Sequence, residues 1–270
     1  MLKKALNFFI FSKVYVALCV TCLSIMSFKV YGGFIDWWIV GFTYFSTLSL
    51  YAFHQVWGLS SLTADKIIFR QKWSLANKWS LMWITIIAGI ISTAMVFKIP
   101  IKALILLIPC GVISIGYSTS FFFNRRLRDV PSIKIYLISI VVSVVVVVLP
   151  GIVAEVSCRK IFLLFIIQSL FLLGITIPFD VRDLKIDKPG LKTIPLILGE
   201  RKAIQLAVAL LFLSGLLAWY FLPNGITFLI SSLVASIAVW FATSSRNEYF
   251  FSLAIEGMMI VQLILIYLLQ

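Results

Sequence analysis

Three aspartates carry the clearest chemical signal in this sequence. Asp180, Asp183 and Asp187 follow an apolar run at spacings i, i+3 and i+7 within FDVRDLKIDKPGLKTIPLILG (179–199). A helix continuing through them would hold the three carboxylates within about 60° of one another. Arg182 and Lys185 fall about 140 to 200° round the same helix, which predicts that they leave this acidic face for another group to neutralise. Acids at the end of an apolar helix resist leaving water, by roughly 2.5 to 3.5 kcal/mol at mid-membrane depth and less at the interface. Mg²⁺ removes that penalty, because it takes one or two carboxylates and fills its shell with water and phosphate oxygens. The spacing points to a metal-diphosphate site. A solvated helix end, with the acids set among Lys185, Lys188 and Lys192, is the alternative that spacing alone leaves open.

Asp180, Val181, Arg182, Asp183, Leu184 and Asp187, followed by Gly190, Lys192, Thr193, Pro195 and Gly199, resemble the second aspartate-rich motif of the UbiA superfamily of intramembrane prenyltransferases. The resemblance implies a bundle of nine membrane helices in which Asp180, Asp183 and Asp187 bind Mg²⁺ against a polyprenyl diphosphate on the cytoplasmic side. A second stretch is similar too: Tyr117 near the end of the fourth apolar window, a basic loop with Arg125, Arg126 and Arg128, and Lys134 opening the fifth. Guanidinium groups grip phosphate oxygens bidentately and lysine adds a point charge. These bases, with Arg182 and Lys192, are therefore expected to bind the diphosphate, with Lys134 and Tyr117 in catalytic roles.

One departure from the family pattern stands out. Its first acidic motif, an Asn-Asp pair with two further acids, belongs at the end of the second window, which here reads YAFHQVWG (51–58), with no acid before Asp65. His54 and Gln55 stand there instead. They could contact a phosphate or an aromatic acceptor, or simply hydrogen-bond a neighbouring helix. One acidic motif in place of two predicts weaker or single-metal binding. Glu256, an acid inside the last window, is a functional candidate by its position and is expected to hydrogen-bond near the cavity.

The elements that must position these residues follow from composition. Hydrophobic residues make up 62% of the 270 positions, charged residues 12%, and the mean hydropathy is +1.10, which excludes a soluble domain. Windows of about 20 apolar residues, the length that crosses the hydrocarbon, fall near 8–28, 37–58, 79–97, 103–123, 134–150, 160–179, 203–221, 225–244 and 250–269. An unpaired strand would leave backbone groups unsatisfied in lipid, so even the Val/Ile-rich fifth window reads as helix. The expected fold is an all-α polytopic membrane protein, a single membrane domain over 1–270 with nine transmembrane helices in a UbiA-like bundle.

Local features refine this picture. Lys13 interrupts the first window; its long side chain either snorkels to the inner interface, the favoured expectation, or faces the cavity. No small-residue cleavage site precedes Tyr31, so the first span is expected to be retained. Pro150-Gly151 is expected to end the fifth span, and Pro178 to kink the sixth and aim the carboxylates inward. The loop from Ser60 to Lys78 is expected to lie on the membrane surface with Trp73 and Trp79 at headgroup depth. The seventh and eighth windows carry no ionisable group and read as structural. Cys19, Cys22 and Cys110 lie inside windows and Cys158 at an outer end, a pattern of packing residues rather than of redox or metal chemistry.

Charge sets the orientation. With a cytoplasmic N-terminus, the inner segments hold Lys3, Lys4, Lys13, Lys66, Arg70, Lys72, Lys78, Arg125, Arg126, Arg128, Lys134, Arg182, Lys185, Lys188, Lys192, Arg201, Lys202 and Arg246, leaving Lys29, Lys98, Lys102, Arg159 and Lys160 outside. Those 18 bases against 5 are a strong positive-inside bias. The +13 net charge thus orients the chain toward anionic lipid rather than nucleic acid. The expected function is Mg²⁺-dependent transfer of a polyprenyl group from its diphosphate to a lipophilic or aromatic acceptor, at the cytoplasmic face of a bacterial inner membrane. The alternative, supported by the missing first motif, is a non-catalytic member that binds an isoprenoid lipid or scaffolds a membrane complex.

Overall fold

The computed structural model describes residues 2–59, 68–120, 126–130, 133–184 and 193–269. Among them, seven helices are long and apolar enough to cross a membrane: α2 (Val14–Tyr31), α5 (Lys78–Val96), α6 (Ile101–Ser118), the combined Ile133–Val153, α9 (Cys158–Asp183), α11 (Glu200–Phe221) and the combined Phe250–Leu269. α3 (Trp37–Leu59) is as long but interleaves Thr, Ser, Tyr, His and Gln with its apolar residues, and α12 (Gly225–Trp240) is shorter. The remaining helices are α1 (Leu2–Phe11), α4 (Phe69–Ala76) and α10 (Ile194–Leu198), with a 3₁₀ turn at Leu127–Asp129. Large apolar side chains such as Trp83, Ile90, Ile105 and Ile108 stand exposed on α5 and α6. That surface suits lipid and not water. The protein is an integral membrane protein.

α9 is the axis of the core. Leu164, Ile167, Phe171, Ile175, Ile177 and Val181 pack with residues of α2, α11, α12 and the last span in one buried cluster. Gly174 lets α11 approach so closely that an added Cβ would stand 2.5 Å from Leu211 Cγ. Some buried hydroxyls turn back on their own helices: Thr21, Thr43 and Ser139 each donate to the carbonyl four residues earlier, which satisfies them without water.

Two expectations from sequence are corrected here. The first window is not one span: the chain breaks at Lys13, which adopts φ 73° between α1 and α2. The fifth span does not stop at Pro150-Gly151. It runs as α7 (Ile133–Ser143), a π-helical turn at Val144–Val148 and α8 (Leu149–Val153). A wider π turn just ahead of the proline re-registers the hydrogen bonds, so the missing N–H no longer interrupts the helix. A second π turn, Phe250–Ile255, leads into α13 (Glu256–Leu269). α2 buttresses both turns: the Tyr31 hydroxyl donates to Val147 O at 3.1 Å, and the Tyr15 hydroxyl to Leu253 O at 3.0 Å.

α11 and α12 are joined through Asn224 in the left-handed region (φ 57°), and a Cβ on Gly225 would lie 1.9 Å from the Ala218 carbonyl oxygen. Backbone cannot yield as a side chain can. Gly225→Ala should therefore force the corner open and cost about 1–3 kcal/mol, read as a lowered melting temperature in detergent. Gly111→Ala, with nothing within 4 Å of its Cβ position, should leave stability unchanged.

Candidate functional site

A cavity of about 560 Å³ lies between α2, α3, α6, α7, α9 and the last span. α3 turns Ser46, Thr47, Tyr51, His54 and Gln55 into it, with Leu50 and Gly58 on the same face at helical spacing. This accounts for the polar residues that α3 interleaves with its apolar ones. Leu137, Ile138, Val141, Val142 and Val145 of the α7 span, with Leu172, Ile175 and Met259, form the apolar part. α11 and α12 contribute no lining residue and support α9 from behind.

Charge gathers at one end. Asp180 is 3% exposed and accepts from Lys134 Nζ at 2.8 Å. Asp183 accepts from Arg182 through both oxygens, Nε–Oδ1 at 2.8 Å and Nη2–Oδ2 at 3.0 Å, with Arg70 Nη2 at 3.5 Å. Arg182 and Arg70 also share Glu248 Oε1, at 2.9 and 3.2 Å. The Arg182 guanidinium lies 5.0 Å from the Phe179 ring and 5.8 Å from that of Phe251, a cation–π seat that fixes its direction. Arg126 is tied to Asp129 at 2.6 Å. Arg128 and Lys13 line the cavity and form no ion pair with a described residue.

This geometry corrects the expectation that Arg182 leaves the acids to another group. Among the described residues α9 ends at Asp183. Helical angle alone placed Arg182 too far round to matter; a long guanidinium arm at a helix end reaches its neighbour, and does so here. Lys13 borders the cavity, the second of its two expected placements. Trp73 packs against Phe8 and Phe11 of α1, with Phe69 and Tyr249 on Phe11. Asp187, Arg125 and Lys192, together with Asp65, lie outside the described residues.

The other candidates line the cavity: Tyr117 and His54, with ring centroids 5.2 Å apart, Gln55, Arg128 and Glu256. His54 Nδ1 meets Ser118 Oγ at 2.7 Å, and Gln55 Nε2 donates to Ser74 Oγ of α4. Sequence reasoning missed Glu248 and the bridging role of Arg70. The available signal was scarcity, since Glu248 is one of only ten acids and stands just ahead of the last apolar window.

Among the described residues no group of three His, Cys, Asp or Glu could hold a metal ion. Mg²⁺ needs only one or two carboxylates when phosphate and water complete its shell. Asp180 meets that need: Lys134 takes Oδ1, and Oδ2 bonds to no described residue on a side chain that borders the cavity. Asp183 does not, with both oxygens on Arg182. The donor set fits a single hard cation shared between Asp180 and a bound anion.

Residues 75–249 match the profile of the UbiA prenyltransferase family. A search of curated proteins finds no match. A solved structure described under "Structural and mechanistic insights into the biosynthesis of Digeranylgeranylglyceryl phosphate synthase in membranes" is similar over 98% of this chain and 98% of its own, with 17% identity and a TM-score of 0.58. At that identity the likeness is one of fold.

Removing one member of the Arg182 network leaves its partners buried and unmatched. Arg182→Met should destabilise the protein by about 3 kcal/mol, measured by denaturant unfolding in micelles. Lys72→Met, on the exposed side of α4, should change stability little.

Proposed function

Because the chain belongs to the UbiA prenyltransferase family, we propose that its 270 residues act as one membrane domain transferring a polyprenyl group from its diphosphate to a lipophilic or aromatic acceptor. The observation that carries this reading is the cavity itself, apolar along α7 and α9 and densely charged at one end. An amphiphile with a long hydrocarbon tail and a compact anionic head matches that division. The positive-inside bias places the charged end toward the cytoplasm, in a bacterial inner membrane.

Lys134 and Arg128 neutralise the diphosphate as its bond to the allylic carbon lengthens, and the bonding pair leaves with pyrophosphate. Fixed charges aimed at developing charge in a water-poor cavity are worth far more than in water. The π face of Tyr117 stabilises positive charge on the allylic carbon, with Tyr51 and His54 beside it on the wall. Arg182, Lys192 and Glu256 complete the substrate contacts. Mg²⁺, held by Asp180 with Asp183 and Asp187 nearby in sequence, would supply Lewis-acid stabilisation of the leaving phosphate oxygens.

A second reading is favoured by one specific feature. α3 presents His54 and Gln55 to the cavity where a second acidic motif would sit, and both Asp183 oxygens are engaged by arginine. A non-catalytic binder of isoprenoid lipid would tolerate both.

Membranes containing the protein should release pyrophosphate from a polyprenyl diphosphate in Mg²⁺ and not in EDTA. Asp180→Ala and Asp183→Ala should each lower that rate by about 100-fold or more. Full activity in both variants refutes the site. An isoprenoid lipid that copurifies without turnover, whatever the Mg²⁺ level, would select the second reading.

A further inference from the structure

Beside the cavity lies a crevice of about 10 Å³, close to the space one water-sized group occupies. Its polar lining is Arg128, Lys134, Asp180 and Thr193, and the first three also border the main cavity. Thr193 is 4% exposed. Its Oγ1 is buried and, among the described residues, has no hydrogen-bond partner, nor does it cap α10, which it precedes. A buried hydroxyl left without a partner is costly, so this one needs an acceptor or donor that the described chain does not supply.

The charges around it say which. Asp180 is matched by Lys134 at 2.8 Å, while Arg128 forms no ion pair with a described residue and so leaves the crevice positive. Gly58 at the end of α3 borders that guanidinium, and a Cβ there would stand 3.4 Å from Arg128 Nη1, at the edge of ordinary contact. A guanidinium, an ammonium and a hydroxyl donor around space for one atom repel a cation and suit an oxygen that carries negative charge.

We propose that Thr193 Oγ1 and Arg128 hold one phosphoryl oxygen of the diphosphate in this crevice, and do so without a metal ion. The proposal rests on the diphosphate reading above and assigns Thr193 as a further binding residue. It places a fixed cation at the C-terminal end of α3, a helix that carries no acid along Trp37–Leu59. Asp180 then serves two neighbours, since Lys134 cancels its repulsion of the phosphate while its other oxygen remains on the cavity side.

The test is pyrophosphate titration by calorimetry on the full chain in nanodiscs of neutral phosphatidylcholine, in EDTA and then in Mg²⁺. Wild type should bind pyrophosphate in EDTA. Thr193→Val, which keeps the shape and removes the hydroxyl, should weaken that binding about tenfold, the scale of one hydrogen bond to a charged acceptor. Thr193→Ser should restore it, and Arg128→Gln should weaken it at least as much as Thr193→Val. Melting curves of the variants separate lost binding from lost folding, and Thr193→Ser against Thr193→Val holds the comparison if Arg128→Gln unfolds. Binding seen only with Mg²⁺, or equal in wild type and Thr193→Val, overturns the proposal. So does displacement of pyrophosphate when phosphatidylglycerol is added to the disc, which would assign the crevice to a lipid headgroup. Pyrophosphate binding that follows this pattern in a chain without transferase activity would sink the catalytic reading and leave the subsite standing.

Discussion

A carboxylate carried inward on a membrane helix must meet a cation, and the rest of this structure is arranged around that requirement. Asp180 and Asp183 sit on the last turn of α9, which runs through the main buried cluster of the bundle. Their partners come from elsewhere in the chain: Lys134 from the start of α7, Arg70 from α4, and Arg182 folding back from α9 itself. Each pairing draws a separate element toward one end of the cavity. Glu248 extends the set, because without it Arg70 and Arg182 would present two guanidinium groups to a single carboxylate. Buried networks of this kind contribute less to net stability than to specifying one arrangement, and the arrangement here is a charged rim over an apolar cavity.

The rim also decides where the small helices go. α4 brings Arg70 to Asp183 and Glu248, and it can do so only if something anchors its other face. Phe8 and Phe11 of α1 meet Trp73, and Phe11 also meets Phe69 and Tyr249. Edge-to-face aromatic contacts are each worth about 0.5–1.5 kcal/mol beyond the area they bury. α1 is thus a clamp over α4 rather than the first turns of a span, and the left-handed turn at Lys13 is what lets it leave the axis of α2. Ionic contact on one face and aromatic contact on the other hold α4 at the mouth, where its Ser74 also meets Gln55 of α3.

How much of this was legible in the sequence depends on the range of the interaction. Spans and their number of apolar residues are local properties, and the windows near 79–97, 160–179 and 203–221 coincide with helices of the structure. Asp180, Lys134, Tyr117, His54 and Gln55 were legible as a constellation because each is a polar residue where an apolar one is the default, and all five border the cavity. Arg182 was misread since helical angle was applied to a residue at a helix end, where a flexible arm matters more than its Cβ direction. Glu248 and Thr193 were missed for a different reason. Their significance lies in partners more than 60 residues away or in the absence of a partner among the described residues, and no local pattern encodes either.

The two π turns connect this chemistry back to the fold. Each widens a helix by one register step, and in each a carbonyl is taken up by a tyrosine of α2, Val147 by Tyr31 and Leu253 by Tyr15. The step changes which way the helix faces. Before Val144–Val148, residues 134, 137, 138, 141 and 142 turn toward the cavity, and Val145 within it does so last; after it, Leu149 packs with Phe28, Ile39 and Val40 in a separate core. A regular α-helix through Pro150 would have kept one stripe along its length and lost a backbone bond to the proline. In the last span the turn comes just before Glu256, so Ser252, Glu256 and Met259 reach the cavity while Phe251 and Ile255 enter the core. Polar chemistry inside a bilayer thus rests on two local departures from α-helical register, with α2 supplying the hydrogen bond that stabilises each.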